Sequence, residues 1–198
     1  MKVNSVQEAR QEILDSITPT KKTEMVKLDM CINRVLGKTI KSKRTHPASN
    51  TSSMDGYAVI DTDIKKYPAR LKILGEIQAG SSEKFSLSSG NTVRVFTGSF
   101  LPKGTKKIIL QENCSRKDNF IVISKNQNES YIRKKGEDFF KDDSPLDSPC
   151  LLSANEIALA GAMNFKDLKV YKKPKIAVLA NGNELNEPGD KLSLNKQP

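Results

Sequence analysis

The chain has 198 residues, 36% of them hydrophobic and 28% charged, with a formal net charge of +10, three cysteines, one histidine and no tryptophan. That length suits one large or two small domains able to bury a core without disulfide or metal staples. The mean hydropathy of −0.52 and the lack of any apolar run near ~18 residues exclude a helical membrane span.

The opening "MKVNSVQEARQEILDSI" is amphipathic and charged, without the apolar centre of a secretory signal; a cytoplasmic protein is expected. Cys31, Cys114 and Cys150 lie far apart and form no CxxC pair, which argues against a disulfide framework or a structural zinc site and for small buried hydrophobes. His46 stands alone before a proline, poorly placed for a metal or a catalytic triad. The basic excess lies upstream of residue 141 and is mostly lysine, which lacks the planar fork that grips phosphate from two sides. Scattered lysines without an aromatic ladder describe a solvated surface better than a nucleic-acid track.

In chain order, Val6, Ala9, Ile13, Leu14 and Ile17 recur at helical spacing and predict a helix over 5–17, halted at Thr18–Pro19. A short strand, "EMVKL", follows. "DMCINRVLG" predicts a brief helix with Asp29 as N-cap and Gly37 just past its end, and residues 38–44 are extended and basic. From Tyr57 to about Ile132 short β-rich runs recur: "YAVI", "RLKILGEI", "TVRVF", "KKIIL" and "FIVIS". Turn chemistry separates them, in "AGSSEK", "SSGN", "LPKG" and "KDN". Short strands without intervening helices predict a small barrel or sandwich.

"SANEIALAGAM" returns to helix, with Ser153 and Glu156 spaced as a capping box, and "DLKVY" forms a strand. "IAVLA" is a continuous apolar run ending in a polar glycine turn, as a buried parallel strand of an α/β domain begins. The expected class is α+β. A helical and mixed region (1–44 with 138–173) flanks an all-β barrel-like domain (45–137). The first strand of an incomplete α/β domain (174–198) follows.

Four stretches carry chemistry: "SSMDGYA" with Asp55, "VFTGSFLP" with Thr97 and Gly98, "IRKKGEDF" with Glu137 and Asp138, and "ANGNELNEPG" with Glu184. Glycine there lets backbone amides approach an anion, and carboxylates hold a hard divalent cation. The triplet Arg133–Lys134–Lys135 beside Asp138 suits a phosphate-bearing ligand that also carries Mg²⁺. Singly, each stretch reads equally as a hairpin turn. Their order and spacing are more distinctive. "SSMDGYAV", "GEIQAG", "VRVFTGSFLPKG", "IRKKGEDF", "EIALAGA" and "KPKIAVLANGNELNEPG" closely resemble the molybdopterin molybdenumtransferase family (MoeA and the gephyrin E domain), from the first helix to residue 198.

That resemblance implies the last step of molybdenum cofactor synthesis: molybdate enters adenylated molybdopterin and AMP is released with Mg²⁺ as cofactor. It also implies an elongated homodimer whose site lies between one subunit's β domain and the other's molybdopterin-binding α/β domain, with no nucleic acid and no membrane. It implies catalytic roles for Asp55, Thr97, Asp138 and Glu184, with Thr97 donating to an oxyanion. Ligand binding falls to Ser53, Gly98, Arg133, Lys134, Lys135 and Gly182, and metal binding to Asp55, Asp138 and Glu184. Asp55 and Asp138 are expected to converge although far apart in sequence.

Two departures stand out. The family's "TGDEL" turn reads "NGNEL", with Asn181 and Asn183 replacing a hydroxyl and a carboxylate. The resemblance covers only the N-terminal part of the family's architecture, so residues 1–198 alone are expected not to insert molybdenum. Two other classes compete: a non-catalytic dimerisation or scaffold module of the same fold, favoured by "NGNEL", and a basic nucleic-acid-binding module supported by charge alone.

Overall fold

The computed structural model describes residues 4–191, 194, 196 and 197. Its elements begin with α1 (Val6–Ser16), β1 (Thr23–Lys27), β2 (Val35–Leu36), β3 (Thr51–Ser52) and β4 (Gly56–Val59). Then come β5 (Ala69–Ile77), β6 (Asn91–Val95), β7 (Lys107–Leu110), β8 (Cys114–Lys117), β9 (Phe120–Ile123) and β10 (Ile132–Arg133). The chain closes with β11 (Cys150–Leu151), α2 (Ala154–Ala162) and β12 (Asp167–Tyr171). Two compact units result: residues 25–170, and residues 1–24 with 171–198.

The larger unit is built on a six-stranded sheet of order β7-β4-β6-β5-β9-β8. All four residues of β4 are buried because alternate side chains enter different cores. Tyr57 and Val59 join Leu71, Ile109, Ile121 and Ile123, while Ala58 joins Ile77, Val93, Val95 and Ile108. Covering both faces turns "GYAV" into a continuous apolar run rather than an alternating one.

Only β5 and β6 run parallel among these six strands, and a parallel pair needs a long connection. Residues 78–90 provide it, and their Phe85 and Leu87 cover the second core together with Leu101, Tyr131 and Ile132. A register slip between Ile73 and Glu76 bends β5, and the sheet curls into a half-barrel. At the β7 edge the Gln127 side chain imitates a strand: its amide nitrogen donates to the Ile108 carbonyl and its oxygen accepts from the Leu110 N–H. That blunts an edge otherwise open to pairing.

A second sheet, of order β1-β12-β2-β11, packs with α2 around Cys31, Leu36, Leu152, Ala160, Met163, Leu168 and Val170. The capping box expected at α2 is present, with the Ser153 N–H donating to Glu156 Oε2 at 2.8 Å. The helix expected over "DMCINRVLG" is absent. Leu28–Met30 makes one tight turn with Asp29 inside it, Asn33 turns left-handed at φ 59°, and Val35–Leu36 joins the sheet. Distant strands supply the backbone partners: the Leu28 N–H bonds Lys166 O, Asn33 N–H bonds Leu152 O, and Gly37 N–H bonds Lys169 O, each at 2.8 Å. A helix that short is marginal on its own, so the sheet wins.

In the smaller unit, α1 opens on a capping box in which the Ser5 N–H donates to Glu8 Oε2 at 2.7 Å and the Glu8 N–H donates to Ser5 Oγ at 3.2 Å. The apolar run "IAVLA", expected as a strand, forms no ladder, and Ile176, Val178 and Leu179 are exposed. A strand exists through its partners, and none of the described residues pairs with this run.

Gly56 sets how closely β4 is held. It sits opposite Val95 on one side and Leu110 on the other. A Cβ added there would run into the Ile109 carbonyl oxygen and lie 3.0 Å from Ile108 Cγ2. The obstacle is backbone, which cannot rotate aside. Gly56→Ala is therefore expected to lower stability by about 1–3 kcal/mol. Urea denaturation should show a reduced midpoint at constant slope; an unchanged midpoint would mean that β4 can yield without cost.

Candidate functional site

Three of the four chemical stretches meet at β3. Along one edge, the Ser52 N–H donates to Ser99 O at 3.0 Å, the Gly98 N–H to Ser52 O at 2.8 Å, and the Leu101 N–H to Asn50 O at 3.2 Å. Along the other edge β10 pairs antiparallel, with Ile132 opposite Ser52 and Arg133 opposite Thr51, and the Ser53 N–H donates to Tyr131 O at 3.0 Å. Two residues of strand thus bind "TGSF" on one side and "YIRKKGED" on the other. Gly98 adopts φ +83° in the turn, a conformation that glycine enters without penalty.

From this ladder the chain turns, with Ser52 Oγ donating to Met54 O at 2.6 Å, and presents Asp55. Asp55 Oδ1 accepts two hydrogen bonds from Thr97, one from the backbone N–H at 2.8 Å and one from the hydroxyl at 2.9 Å. Oδ2 accepts none among the described residues. The Thr97 backbone donor, then its hydroxyl, then the Arg94 charge pull the Asp55 carboxyl below its ordinary range. The carboxylate is ionised at neutral pH. The Thr97 hydroxyl proton points at Asp55 in this arrangement, so Thr97 orients the carboxylate.

Asp138 lies in a different setting. Both of its oxygens accept from Arg133 Nη2, at 2.7 and 2.8 Å, and His46 Nε2 stands 3.6 Å from Oδ2. Arg133 Nε is 3.6 Å from Glu137 Oε2, which also accepts the Lys134 N–H at 3.0 Å. The Lys135 N–H donates to Asn50 Oδ1 at 2.9 Å, pinning the basic triplet beside the loop that leads to β3. The Lys134 and Lys135 ammonium groups pair with no carboxylate among the described residues. Asp55 and Asp138 are therefore carried by one scaffold, while their hydrogen bonds run to separate partners. Glu184 and Gly182 lie in the smaller unit, where the Leu185 N–H bonds Gly182 O at 3.2 Å and the Gln197 N–H bonds Glu184 O at 2.7 Å.

Among the described residues, no three acidic, histidine or cysteine side chains gather as a metal cage. Asp55 still suits Mg²⁺, which commonly takes one or two carboxylates and completes its shell with substrate phosphate and water. Asp138 already accepts from Arg133 Nη2 on both oxygens, so its charge is compensated where that of Asp55 is not paired with a guanidinium. Burial, with Glu112 adding to it, pushes the Cys114 thiol up to about 12.

Sequence reasoning passed over two neighbours of this site. Arg94 on β6 stacks over Phe96 at 4.7 Å, approaches Glu76 at 4.0 Å and bonds Gln111 Oε1 at 3.3 Å. A lone arginine inside the apolar run "TVRVF" was the available signal. His46 stacks on Phe139 at 5.7 Å between centroids and faces Asp138; nothing local in "RTHPAS" announces that.

Thr97→Val, which keeps the backbone donor and removes the hydroxyl, should raise the Asp55 pKa, read directly from a carboxyl NMR titration. The depressed folded value contributes stability fully above the unfolded pKa of about 3.9, and that contribution is lost as pH falls through the folded value. The substitution should therefore destabilise the protein at neutral pH and have little effect near pH ~2. Equal losses at both pH values would show that the hydroxyl acts by packing alone.

Known proteins share this architecture. The molybdopterin biosynthesis MoeA protein from Pyrococcus horikoshii OT3 superposes with a TM-score of 0.83 and 29% identity, covering 96% of this chain and 52% of that one. The molybdopterin molybdenumtransferase of Haemophilus influenzae is 32% identical over 193 residues, 95% of this chain and 47% of that protein. That of Nostoc sp. PCC 7120 is 32% identical over 169 residues, 82% of this chain and 38% of that protein. The chain thus spans about half, or less, of the length of these relatives. The family description "MoeA N-terminal region (domain I and II)" matches residues 4–163, and the chain belongs to that family.

Proposed function

We propose that this chain serves molybdenum cofactor biosynthesis by supplying the Asp55 side of a site where molybdate enters adenylated molybdopterin and AMP leaves. The observation that carries the reading is the convergence on β3: an ionised Asp55 clamped by Thr97, beside a basic segment whose arginine is held by Asp138. The names of the relatives support the pathway. The reaction itself, the homodimer and a cytoplasmic setting are parts of the proposal.

In this reading Asp55 would hold Mg²⁺, which when bound would neutralise phosphate charge. Thr97 fixes the carboxylate so that no reorientation is needed as charge develops. Lys134 and Lys135 offer unpaired cations to the phosphates. Asp138 acts through Arg133, as a positioning residue. Glu184 keeps the role its motif implies, in the smaller unit.

The test joins residues 1–198 to the remainder of the Haemophilus influenzae relative and measures AMP release from adenylated molybdopterin with molybdate and Mg²⁺. The fusion should turn over, and residues 1–198 alone should not. Asp55→Asn in the fusion should slow release at least about tenfold, the usual scale for one oriented charge. Thermal unfolding at neutral pH should fall only modestly, because Asn Oδ1 still accepts both Thr97 hydrogen bonds although the charge that strengthened them is gone. Full turnover by Asp55→Asn would reduce Asp55 to a turn residue. A folded fusion without AMP release would decide for a non-catalytic scaffold, the reading that Asn181 and Asn183 favour.

A further inference from the structure

Phe100 is 48% exposed although Ser99 beside it is fully buried. Register explains the difference. Phe100 stands opposite Thr51 in an antiparallel bridge, and Thr51 has Arg133 opposite on its other side. Residues directly opposed in antiparallel pairs share a face, so Phe100, Thr51 and Arg133 project together, while Leu101 and Ile132 turn into the core. The ring is placed outside by the ladder.

It borders a cavity of about 930 Å³, within the usual range for small-molecule sites. Ile77 and Phe85 form an apolar wall, the Phe85 ring lying over Gly75, whose added Cβ would come within 2.7 Å of Cζ. Lys84, Lys103 and Glu83 also line it. Neither lysine pairs with a carboxylate among the described residues. An exposed aromatic face offers stacking to a flat π-system. Two free ammonium groups offer charge to a phosphate. A carboxylate accepts from ring N–H or exocyclic amino groups. Gly98 places the Thr97 turn against the same connection, a Cβ there lying 3.7 Å from Ala79 Cβ.

We propose that this cavity binds a planar nitrogen heterocycle carrying a phosphate ester, with Phe100 as the stacking platform and Lys84 and Lys103 on the phosphate. The inference deepens the proposed function and rests on it for the choice of ligands, since an adenylated pterin presents two such groups. A purine or a pterin ring satisfies the same chemistry, and separate titrations distinguish them.

The experiment titrates the purified 198-residue chain with AMP by calorimetry, with a pterin monophosphate by quenching of pterin fluorescence, and with ribose 5-phosphate as a ringless control. At least one heterocycle should bind, and the tighter of the two identifies the ring. Phe100→Ala should weaken that heterocycle about tenfold, in keeping with the loss of one base–aromatic stack. Phe100→Tyr should restore binding, and ribose 5-phosphate should not respond to Phe100→Ala. Lys84→Ala with Lys103→Ala should weaken all ligands that bind. Thermal unfolding of Phe100→Ala should match that of the parent, because the side chain is half exposed. Failure of both heterocycles to bind at millimolar concentration, or equal binding by Phe100→Ala, overturns the site. Heterocycle binding through Phe100 without AMP release by the fusion protein leaves the site standing and removes the proposed function instead.

Discussion

Everything chemical in the larger unit hangs on the backbone of Thr51 and Ser52. Two residues are a short strand, and a ladder of that length would be marginal alone. Here both edges are paired, and Thr51 and Ser52 are 7% and 1% exposed. A buried peptide group that loses its partner pays its desolvation in full, so breaking one side of β3 leaves donors and acceptors stranded. Leu101 and Ile132, next in line on the flanking segments, are set into the core of the half-barrel. Packing thereby fixes the two outer segments, and hydrogen bonding fixes the middle one between them.

The same arrangement decides where charge is fixed before any ligand arrives. Asp55 takes its two bonds from uncharged donors, so its negative charge is stabilised without being cancelled. Arg133 is matched by Asp138 and Glu137 together, and the cations left over are lysines. The Asp55 carboxylate is ionised and oriented, and the ammonium groups of Lys134 and Lys135 pair with no carboxylate among the described residues. Preorganised groups need not rotate as charge moves, which is where enzymes gain most from electrostatics.

Much of the fold could be read from local pattern. The runs that became β4, β5, β6, β7 and β9 are short apolar-rich segments bounded by turn residues. Ser153 and Glu156 define the start of α2 through contacts only three residues long. Asp118, in the expected "KDN" turn, takes φ 52° between β8 and β9. What stayed hidden was non-local. β2, β3, β10 and β11 have two residues each, too few for a period to show, and each exists because of a partner distant in sequence. The segment around Asp29 failed for that reason, since its backbone partners come from residues beyond 150. "IAVLA" failed in the opposite sense: its composition asks for neighbouring strands that the described residues do not supply. Around the candidate site, Asp55, Thr97 and Asp138 could be singled out from their motifs, whereas Arg94 and His46 are brought towards Asp55 and Asp138 by register and stacking.

Motif membership also left Asp55 and Asp138 indistinguishable, both being acidic residues next to glycine-bearing turns. Their surroundings separate them. A carboxylate held on two oxygens by one guanidinium has its charge compensated and its lone pairs directed. A metal placed there would compete electrostatically with the Arg133 guanidinium. A carboxylate held on one oxygen by a threonine faces less of that competition: its second oxygen accepts no hydrogen bond among the described residues, and Arg94 acts on it through its field rather than by a direct pair. In the proposed reading, coordination or substrate contact falls to Asp55, and Asp138 orients Arg133. One fold element, β3, anchors the segments that carry both carboxylates, while their hydrogen bonds run to separate partners.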